Sequence, residues 1–408
     1  MGNRFVVMGG AGAMGRITVT DLVRTGKAED EVVIADFDLK KAQALVDALK
    51  PVAKTQVRAE FVDVTSAAAM DKVLNQAHTV VNAVQYQRNI DVMEAALRAK
   101  CNYVDLGGLF HVTRKQMELD GKFKAIGRTA VLGMGAAPGI TNLLAQYAAN
   151  EMDQVTEIHC RVGSMDQSKY APVPALAVSY SLKTILEEFS FEPAVYTKGE
   201  FTFVKPMSGD YPHAFPKPVG VQKPMFTIHS EVATLPLSYK DRGCKECSFK
   251  IAFDPHFVAS VKFLRDLGMA SHEPLEVEGG KVKPIDVVNK VAMSQPQAKL
   301  IGKLKQYEVV RTIVKGTAKP KGKSKTKQKI TYVMECHTQG MPEWGIGLDI
   351  DTGSPPAVAA QMLADGEITL KGALAPEICV PSKSFFERLK KRKMRLVISK
   401  KSGWGFKT

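Results

Sequence analysis

The chain has 408 residues, 45% of them hydrophobic, a mean hydropathy of -0.10 and a formal net charge of +14. This length predicts two or three structural units with a sizeable core. No apolar run approaches the roughly 20 residues of a membrane-spanning helix, and no secretory signal precedes the strand-like run that begins at Phe5. We therefore expect a cytoplasmic protein without a membrane partner.

A nucleotide-binding fingerprint follows the first predicted strand, Phe5–Met8. Its G-x-G-x-x-G glycines precede a helical pattern that reaches about Thr25. In such a turn the glycines admit a pyrophosphate close to the backbone, and the N–H groups at the helix start face the phosphates. The sequence therefore predicts a dinucleotide site formed by Gly10, Ala11, Gly12, Ala13, Met14 and Gly15.

An acid, Asp36, ends the second predicted strand. Its carboxylate would accept hydrogen bonds from the adenosine ribose and repel a 2′-phosphate, which favours NAD over NADP. Lys40 and Lys41 lie just beyond it and keep NADP open as the cofactor. Further cofactor contacts are predicted where the first strands of the sheet end, at Asp63, Val64, Asn82, Ala83, Val84, Gly107 and Gly139.

Strand and helix patterns alternate through the first ~130 residues, which is typical of a doubly wound parallel sheet, the Rossmann fold. From Thr156 onward, segments of period two predict an inserted α/β (α+β) domain with a mixed sheet. Tyr307–Val314 and Ile330–Glu335 predict a long hairpin, and the helix Pro356–Ala364 and strand Glu367–Leu370 are expected to return to the nucleotide domain. The predicted units are 1–138 (nucleotide binding), 139–350 (substrate binding and dimerisation), 351–395 (C-terminal elements) and 396–408 (a basic tail).

The positive charge is concentrated in two stretches. Lys315–Lys329 contains seven lysines and no acid, whereas Lys383–Thr408 contains ten Lys or Arg and one acid. We expect a solvated loop and a terminal tail; nucleic acid is a disfavoured partner because no recognition motif or interleaved aromatic residue accompanies the loop lysines. The six scattered cysteines, with one C-x-x-C pair at Cys244 and Cys247, predict reduced thiols and no metal site.

Several stretches resemble the saccharopine dehydrogenase-like reductases. They are Asn102–Gly108, Gly135–Asn142, His229–Pro236, Phe249–Phe253 and Thr352-Gly353. The resemblance covers most of the chain outside the lysine-rich loop and the tail, and within the family it is closest to the lysine 6-dehydrogenase group. It implies NAD(P)-dependent hydride transfer at a carbon bearing nitrogen, and a homodimer.

For this group the implied reaction is oxidation of the ε-amine carbon of lysine, whose imine product hydrolyses to a semialdehyde that cyclises. The alternative within the family is reductive condensation of an aldehyde with an amine, as in saccharopine or carboxynorspermidine formation. An NAD-binding regulator without catalytic activity is the hypothesis from another class. The small-molecule partner is in each catalytic case an amino acid or amine.

Three residues are candidates for handling the substrate's proton. Asp105 stands at a strand end, where a carboxylate could hold a cationic amine, although it could instead cap the turn that follows. His229 is an acid/base candidate, with a structural histidine as the alternative. Tyr180 could face the substrate or pack in the core.

Three further residues are candidates for binding the substrate. Arg88 could clamp a carboxylate with two hydrogen bonds, or lie on the surface. Asn142 could bond the cofactor carboxamide or the substrate, or cap a helix. Glu231 lies two positions from His229, so that an extended segment would place both on one face.

Overall fold

The computed structural model of the protein describes residues 2–174, 176, 181–296, 298–318 and 328–402. Tyr180, much of the lysine-rich loop and residues 403–408 lie outside this part.

The N-terminal region alternates strands and helices, as predicted. Its strands are β1 (Arg4–Met8), β2 (Glu31–Asp36), β3 (Gln56–Phe61), β4 (Thr79–Asn82), β5 (Asn102–Asp105) and β6 (Thr129–Val131). Its helices are α1 (Gly15–Thr25), α2 (Leu39–Leu49), α3 (Ala67–Val73), α4 (Asn89–Ala99), α5 (Leu109–Met117) and α6 (Asp120–Ala125). Side-chain caps from Asp38 and Ser66 satisfy N–H groups at the starts of α2 and α3.

These strands form a parallel sheet in the order β6-β5-β4-β1-β2-β3. The order reverses at β1, where Met8 lies opposite Ala35 of β2 on one side and Asn82 of β4 on the other. Loops that leave β1 and β4 therefore diverge and open a crevice at the carboxyl ends of the strands, which is where this fold binds ligands.

The inserted region supplies the second domain. Its strands are β7 (Met152–Asp166), β8 (Lys169–Ala171), β9 (Ala194–Thr197), β10 (Glu200–Phe203), β11 (His213–Ala214), β12 (Val221–Gln222), β13 (Glu246–Ile251), β14 (Leu275–Val277), β15 (Gly280–Val282), β16 (Lys299–Ile301), β17 (Gln306–Ala318) and β18 (Lys329–Thr338). Its helices are α7 (Ile140–Asn150), α8 (Leu182–Glu188), α9 (Glu231–Ser238), α10 (Pro255–Asp266) and α11 (Pro284–Ser294).

The chain then continues through α12 (Ile350–Ala364), β19 (Gly372–Leu374), α13 (Pro376–Cys379), α14 (Ser382–Lys390) and β20 (Arg395–Ser402). Helix α12 packs against α1, where the Thr18 hydroxyl donates to the carbonyl of Gly353 at 2.7 Å. Strand β19 extends the parallel sheet beside β6, with Gly372 opposite Thr129. The predicted strand at Glu367–Leu370 is wrong. The strand in this region is β19, which begins at Gly372, where the chain reaches the edge of the parallel sheet beside β6.

The second sheet is mixed, in the order β10-β9-β13-β7-β17-β18-β20. The predicted hairpin is confirmed, with Val314 of β17 opposite Tyr332 of β18. The predicted basic tail is wrong as far as Ser402, because β20 pairs with β18 as an edge strand. Exposed lysines are common on such edges, where they discourage pairing with another chain.

One hydrophobic core links the two domains. It joins residues under the parallel sheet, such as Val104 and Ile140, to the inner face of the mixed sheet, such as Ile158 and Val310. The predicted fold class is therefore confirmed. In the described ranges, no helix has the length and apolar character needed to cross a bilayer.

Candidate active site

The glycine loop after β1 has the geometry of a phosphate cradle. A Cβ added to Gly15 would lie 2.1 Å from the Gly9 carbonyl oxygen, so that only glycine lets α1 start this close to the strand. At Gly12 an added Cβ would lie 3.1 Å from the same oxygen, on the exposed side of the loop. Within the described residues, the N–H groups of Ala13 and Met14 donate to no backbone acceptor. These groups at a helix N-terminus fit a pyrophosphate.

Asp36 braces the glycine loop from the end of β2. One carboxylate oxygen accepts from the Ala11 N–H and the other from the Asp38 N–H, both at 2.9 Å. A carboxylate has further lone pairs, so Asp36 could still accept from ribose hydroxyls. Exposed Phe37 and Phe61 lie beside it with ring centroids 5.7 Å apart. Sequence reasoning did not single out this aromatic pair, although two exposed phenylalanines at strand ends offer a flat surface to an adenine.

Changing Asp36 to Ala should lower the preference for NAD over NADP, because it removes both the ribose acceptors and the charge that repels a 2′-phosphate. The measurement is the ratio of dissociation constants for NADH and NADPH by fluorescence titration. Asp47→Ala, which removes an exposed acid of α2, is the matched control. An unchanged ratio in Asp36→Ala would contradict the ribose assignment.

The other predicted cofactor positions lie at the ends of the strands of the parallel sheet or in the loops that follow them. Ala83 and Val84 lie against Gly9, so the loop after β4 forms the second wall of the crevice. Asp63 accepts from Thr65, and these hydrogen bonds lower its pKa. The Asn82 side chain is buried and donates to Asn89, so this residue can reach a cofactor only through its backbone.

Val64 is partly buried and packs against a second hydrophobic core, on the opposite face of the parallel sheet from the core that links the two domains. Gly107 and Gly139 both have positive φ, at 121° and 119°. An added Cβ at Gly107 would lie 2.9 Å from a ring carbon of Pro138, so the turn after β5 and the loop after β6 are in close contact. Both glycines therefore keep the loops thin at the edge of the crevice.

Asp105 lies at the centre of a buried hydrogen-bond network rather than in the crevice. One carboxylate oxygen accepts from the N–H groups of Gly107 and Gly133. The other accepts from side chains of the described residues Asn89, Tyr103 and Gln116. Its exposed fraction is 1%, and burial raises its pKa despite these donors. The contacts favour the alternative in which Asp105 holds the turns in place.

Changing Asp105 to Asn should destabilise the protein by about 2–3 kcal/mol, because an amide N–H₂ would face donors in a buried site. Urea denaturation would measure this free energy of unfolding. The exposed Asp71→Asn is the control. A variant as stable as the wild type that nevertheless lost turnover would restore Asp105 as a catalytic base.

The structure separates the other predicted substrate ligands. Asn142 is buried and accepts from the Gly139 N–H while donating to Glu377, which makes it a helix cap and a link between elements. Arg88 is exposed and pairs with Asp91 at 3.0 Å, the surface alternative. Tyr180 lies outside the described residues, and its role stays a prediction.

His229 and Glu231 are in contact, although the segment is not extended as expected. Helix α9 begins at Glu231, and the turn brings Nδ1 of His229 to 2.6 Å from Oε2 of Glu231. The other carboxylate oxygen accepts from the Thr141 hydroxyl at 2.9 Å, and the imidazole stacks on Phe249 at 3.7 Å. Burial opposes the charged imidazole, but the charge and hydrogen bond of Glu231 outweigh it and raise the pKa of His229.

Two buried acids that sequence reasoning missed lie at the end of α8. Glu187 and Glu188 have exposed fractions of 1% and 3%. Glu187 accepts from the Gln87 amide at 3.0 Å, and Nε2 of His272 lies 2.9 Å away outside hydrogen-bonding geometry. Burial raises the pKa of Glu187, and the Tyr86 hydroxyl, the charges of His272 and Lys183 and the Gln87 amide offset only part of this effect. The two domains thus meet at the loop after β4 around buried carboxylates.

Glu188 belongs to the same site. Its negative charge contributes to the raised pKa of His229 and to that of Tyr86, which precedes Gln87 in the loop after β4. We call the two acids with His229, Glu231 and Gln87 the acidic pocket. The only sequence signal for Glu187 and Glu188 is that two acids follow each other at the end of α8. Because acids at a helix end are usually exposed to solvent, this signal does not predict a buried site.

Comparisons with known proteins agree with this geometry. Residues 6–131 match the saccharopine dehydrogenase NADP binding domain, and residues 135–394 match the saccharopine dehydrogenase C-terminal domain. The apo saccharopine dehydrogenase (L-Glu forming) of Saccharomyces cerevisiae superposes with a TM-score of 0.68 at 18% identity, covering 99% of this chain and 100% of that one.

Two curated relatives act as further references. The carboxynorspermidine synthase of Vibrio cholerae is 25% identical over 337 residues, 77% of this chain and 78% of that protein. The carboxyaminopropylagmatine dehydrogenase of Synechocystis sp. is 22% identical over 309 residues, 71% and 72% of the two chains. The family models confirm the predicted class of enzyme, an NAD(P)-dependent oxidoreductase acting at carbon–nitrogen bonds, and the chain belongs to the saccharopine dehydrogenase family.

Proposed function

We propose that the protein joins a carbonyl compound to a primary amine by reductive condensation. The observation that carries this proposal is the pair of buried carboxylates, Glu187 and Glu188, beside the crevice of the nucleotide domain. Burial raises the pKa of Glu187 even with His272 and Lys183 nearby, so the positive charge of an amine ligand would further stabilise its carboxylate. The names of the two curated relatives support the same reaction class.

The proposed chemistry has two stages. The amine adds to the carbonyl and water leaves, which gives an imine; a hydride and a proton then convert the imine to a secondary amine. A bound reduced nicotinamide would supply the hydride. In this proposal the acids orient the amine, and His229, whose pKa is raised by its contact with Glu231, gives a proton to the departing oxygen.

Lysine deamination uses the opposite direction of hydride transfer and stays a prediction. The two reactions are separated by following absorbance at 340 nm. We expect NAD(P)H consumption when a short carboxylated aldehyde and a diamine are supplied together, and none when either is omitted. NADH formation from lysine with NAD would support the lysine reaction instead, while cofactor binding without turnover on any amine would support the regulator hypothesis.

Changing Glu231 to Gln should move the pH profile of the reductive reaction. Glu231 keeps His229 protonated to a higher pH, so the rate should fall as the pH rises through the raised pKa of His229. In Glu231→Gln this fall should begin at a lower pH, and kcat/KM against pH would measure it. The exposed Glu118→Gln should keep the wild-type profile. A profile that does not move in Glu231→Gln would remove His229 from the role of acid.

The oligomeric state and the cellular compartment are also part of the proposal. We expect a homodimer in the cytoplasm, and light scattering after size-exclusion chromatography would measure the mass of the particle.

A further inference from the structure

The outer face of the mixed sheet carries a row of cations. Residues that alternate with the inner, core-facing side chains point to this face. Arg161 of β7 lies opposite Lys250 of β13 on one side and Arg311 of β17 on the other. On the inner face Phe249 stacks on His229, so this row lies on the side of the sheet away from the acidic pocket.

Arg161 is bonded only to neutral acceptors among the described residues. Its guanidinium donates to the carbonyl oxygen of Cys160 at 2.6 Å and to the Ser248 hydroxyl at 3.1 Å. No carboxylate of the described ranges lies within 4.0 Å of Arg161 or of Lys250. Burial lowers the pKa of Arg161 to about 10, a sign that its charge is held without compensation.

Arg311, by contrast, is neutralised. It donates to Oε1 of Glu335 at 2.7 Å and contacts the His213 ring at 2.8 Å. Burial and the charge of Arg311 lower the pKa of His213 to about 4, so this ring is neutral near pH 7. Glu335 therefore balances the charge of Arg311. Arg161 and Lys250 have no ion-pair partner within 4.0 Å among the described residues, and the more distant charge of Asp210 offsets only part of the effects that lower the pKa of Lys250.

Lys250 is held in place beneath the segment that covers this face. Its ammonium donates to the Gly209 carbonyl oxygen and lies 4.1 Å from the centroid of the Phe226 ring. Burial, followed by the charge of Arg161, lowers the pKa of Lys250 to about 8. The ammonium also lies 5.8 Å from the centroid of the Tyr211 ring, which is 77% exposed, so the covering segment reaches solvent beside Lys250.

We propose that Arg161 and Lys250 bind a small oxyanion, a phosphate or carboxylate group of a small molecule, at a site on the outer face of the mixed sheet. Two adjacent cations that lack an ion-pair partner in the described part of the chain, one of them a planar guanidinium, match the charge and geometry of such a group. The site does not depend on the proposed reaction, because it lies on the opposite face from the acidic pocket.

The test is a titration with inorganic phosphate, and in a second arm with acetate, at constant ionic strength. Saturating NADP is present throughout, so that phosphate cannot bind to the glycine loop. Binding is read from the rise in melting temperature, since a ligand that binds only the folded state stabilises it. The variants are Arg161→Gln and Lys250→Gln, and the charge-matched control is Arg98→Gln on α4, an exposed arginine paired with Asp71.

We expect phosphate, acetate or both to raise the melting temperature of the wild type and the control, and the apparent dissociation constant to increase at least tenfold in both variants. NADPH affinity and kcat should stay within twofold of the wild type. An equal response in all four proteins would overturn the proposal. An increased KM for the carbonyl substrate in either variant would also overturn it, because the cations would then belong to the catalytic site.

Discussion

Gly15→Ala is expected to abolish dinucleotide binding, with an affinity loss of at least about a hundredfold. The new Cβ would lie 2.1 Å from the Gly9 carbonyl oxygen and 2.9 Å from the Gly10 Cα, both backbone atoms that cannot rotate away. Helix α1 would have to move from the sheet, taking the N–H groups of Ala13 and Met14 out of register with the phosphates. Quenching of protein fluorescence by NADH would measure the loss.

The matched control is Gly121→Ala in α6, where an added Cβ meets nothing within 4 Å. Alanine is also a better helix former than glycine, so this variant should bind NADH as the wild type does. Wild-type affinity in Gly15→Ala would show that the loop can rearrange, and would contradict the close contact between α1 and β1.

Glu187→Gln should raise KM for the amine substrate by at least about thirtyfold, because truncating the charge of a buried ionic contact costs roughly 2–5 kcal/mol. The hydride-transfer step itself should change less, since Glu187 acts on the amine and its side chain contacts Gln87 and Tyr86 in the loop after β4. Initial rates with the amine varied at saturating aldehyde and NADPH would separate KM from kcat.

Glu192→Gln is the control for this variant, because Glu192 follows α8 closely but is exposed. It should leave KM unchanged. If Glu187→Gln kept the wild-type KM for every amine tested, the acidic pocket would not be the amine site. If it lost NADPH affinity as strongly as amine affinity, its effect would be on domain packing.

The nucleotide half of the site was predictable because its chemistry is local. Gly15 is required by a backbone contact within a few residues, and Asp36 ends a strand whose apolar run is unambiguous. Local sequence could not decide between the two alternatives for Asp105. Its position at a strand end was predicted, but its donors come from α4, α5 and the loop after β6, and they use the carboxylate that was expected to meet the substrate.

The substrate half depended on contacts between distant segments. Gln87 and Glu187 are 100 positions apart in the chain, and no spacing rule connects them. His229 and Glu231 were paired correctly, but a helix start and not an extended strand brings them together. In the C-terminal region, the lysines of 396–402 indicated a tail, whereas the free edge of β18 makes this segment a strand.

By itself, the sequence determined the dinucleotide fold and its glycine loop, because these rest on residue periodicity and on backbone conformations that few residue types allow. The family was indicated by the resemblance of its motifs. Only the tertiary structure decided which acids are buried together, which carboxylate already accepts several hydrogen bonds, and which cations of the mixed sheet lack an ion-pair partner among the described residues. The physical reason is that the cost of burying a charge depends on every group packed around it, and those groups come from elements that are far apart in the chain.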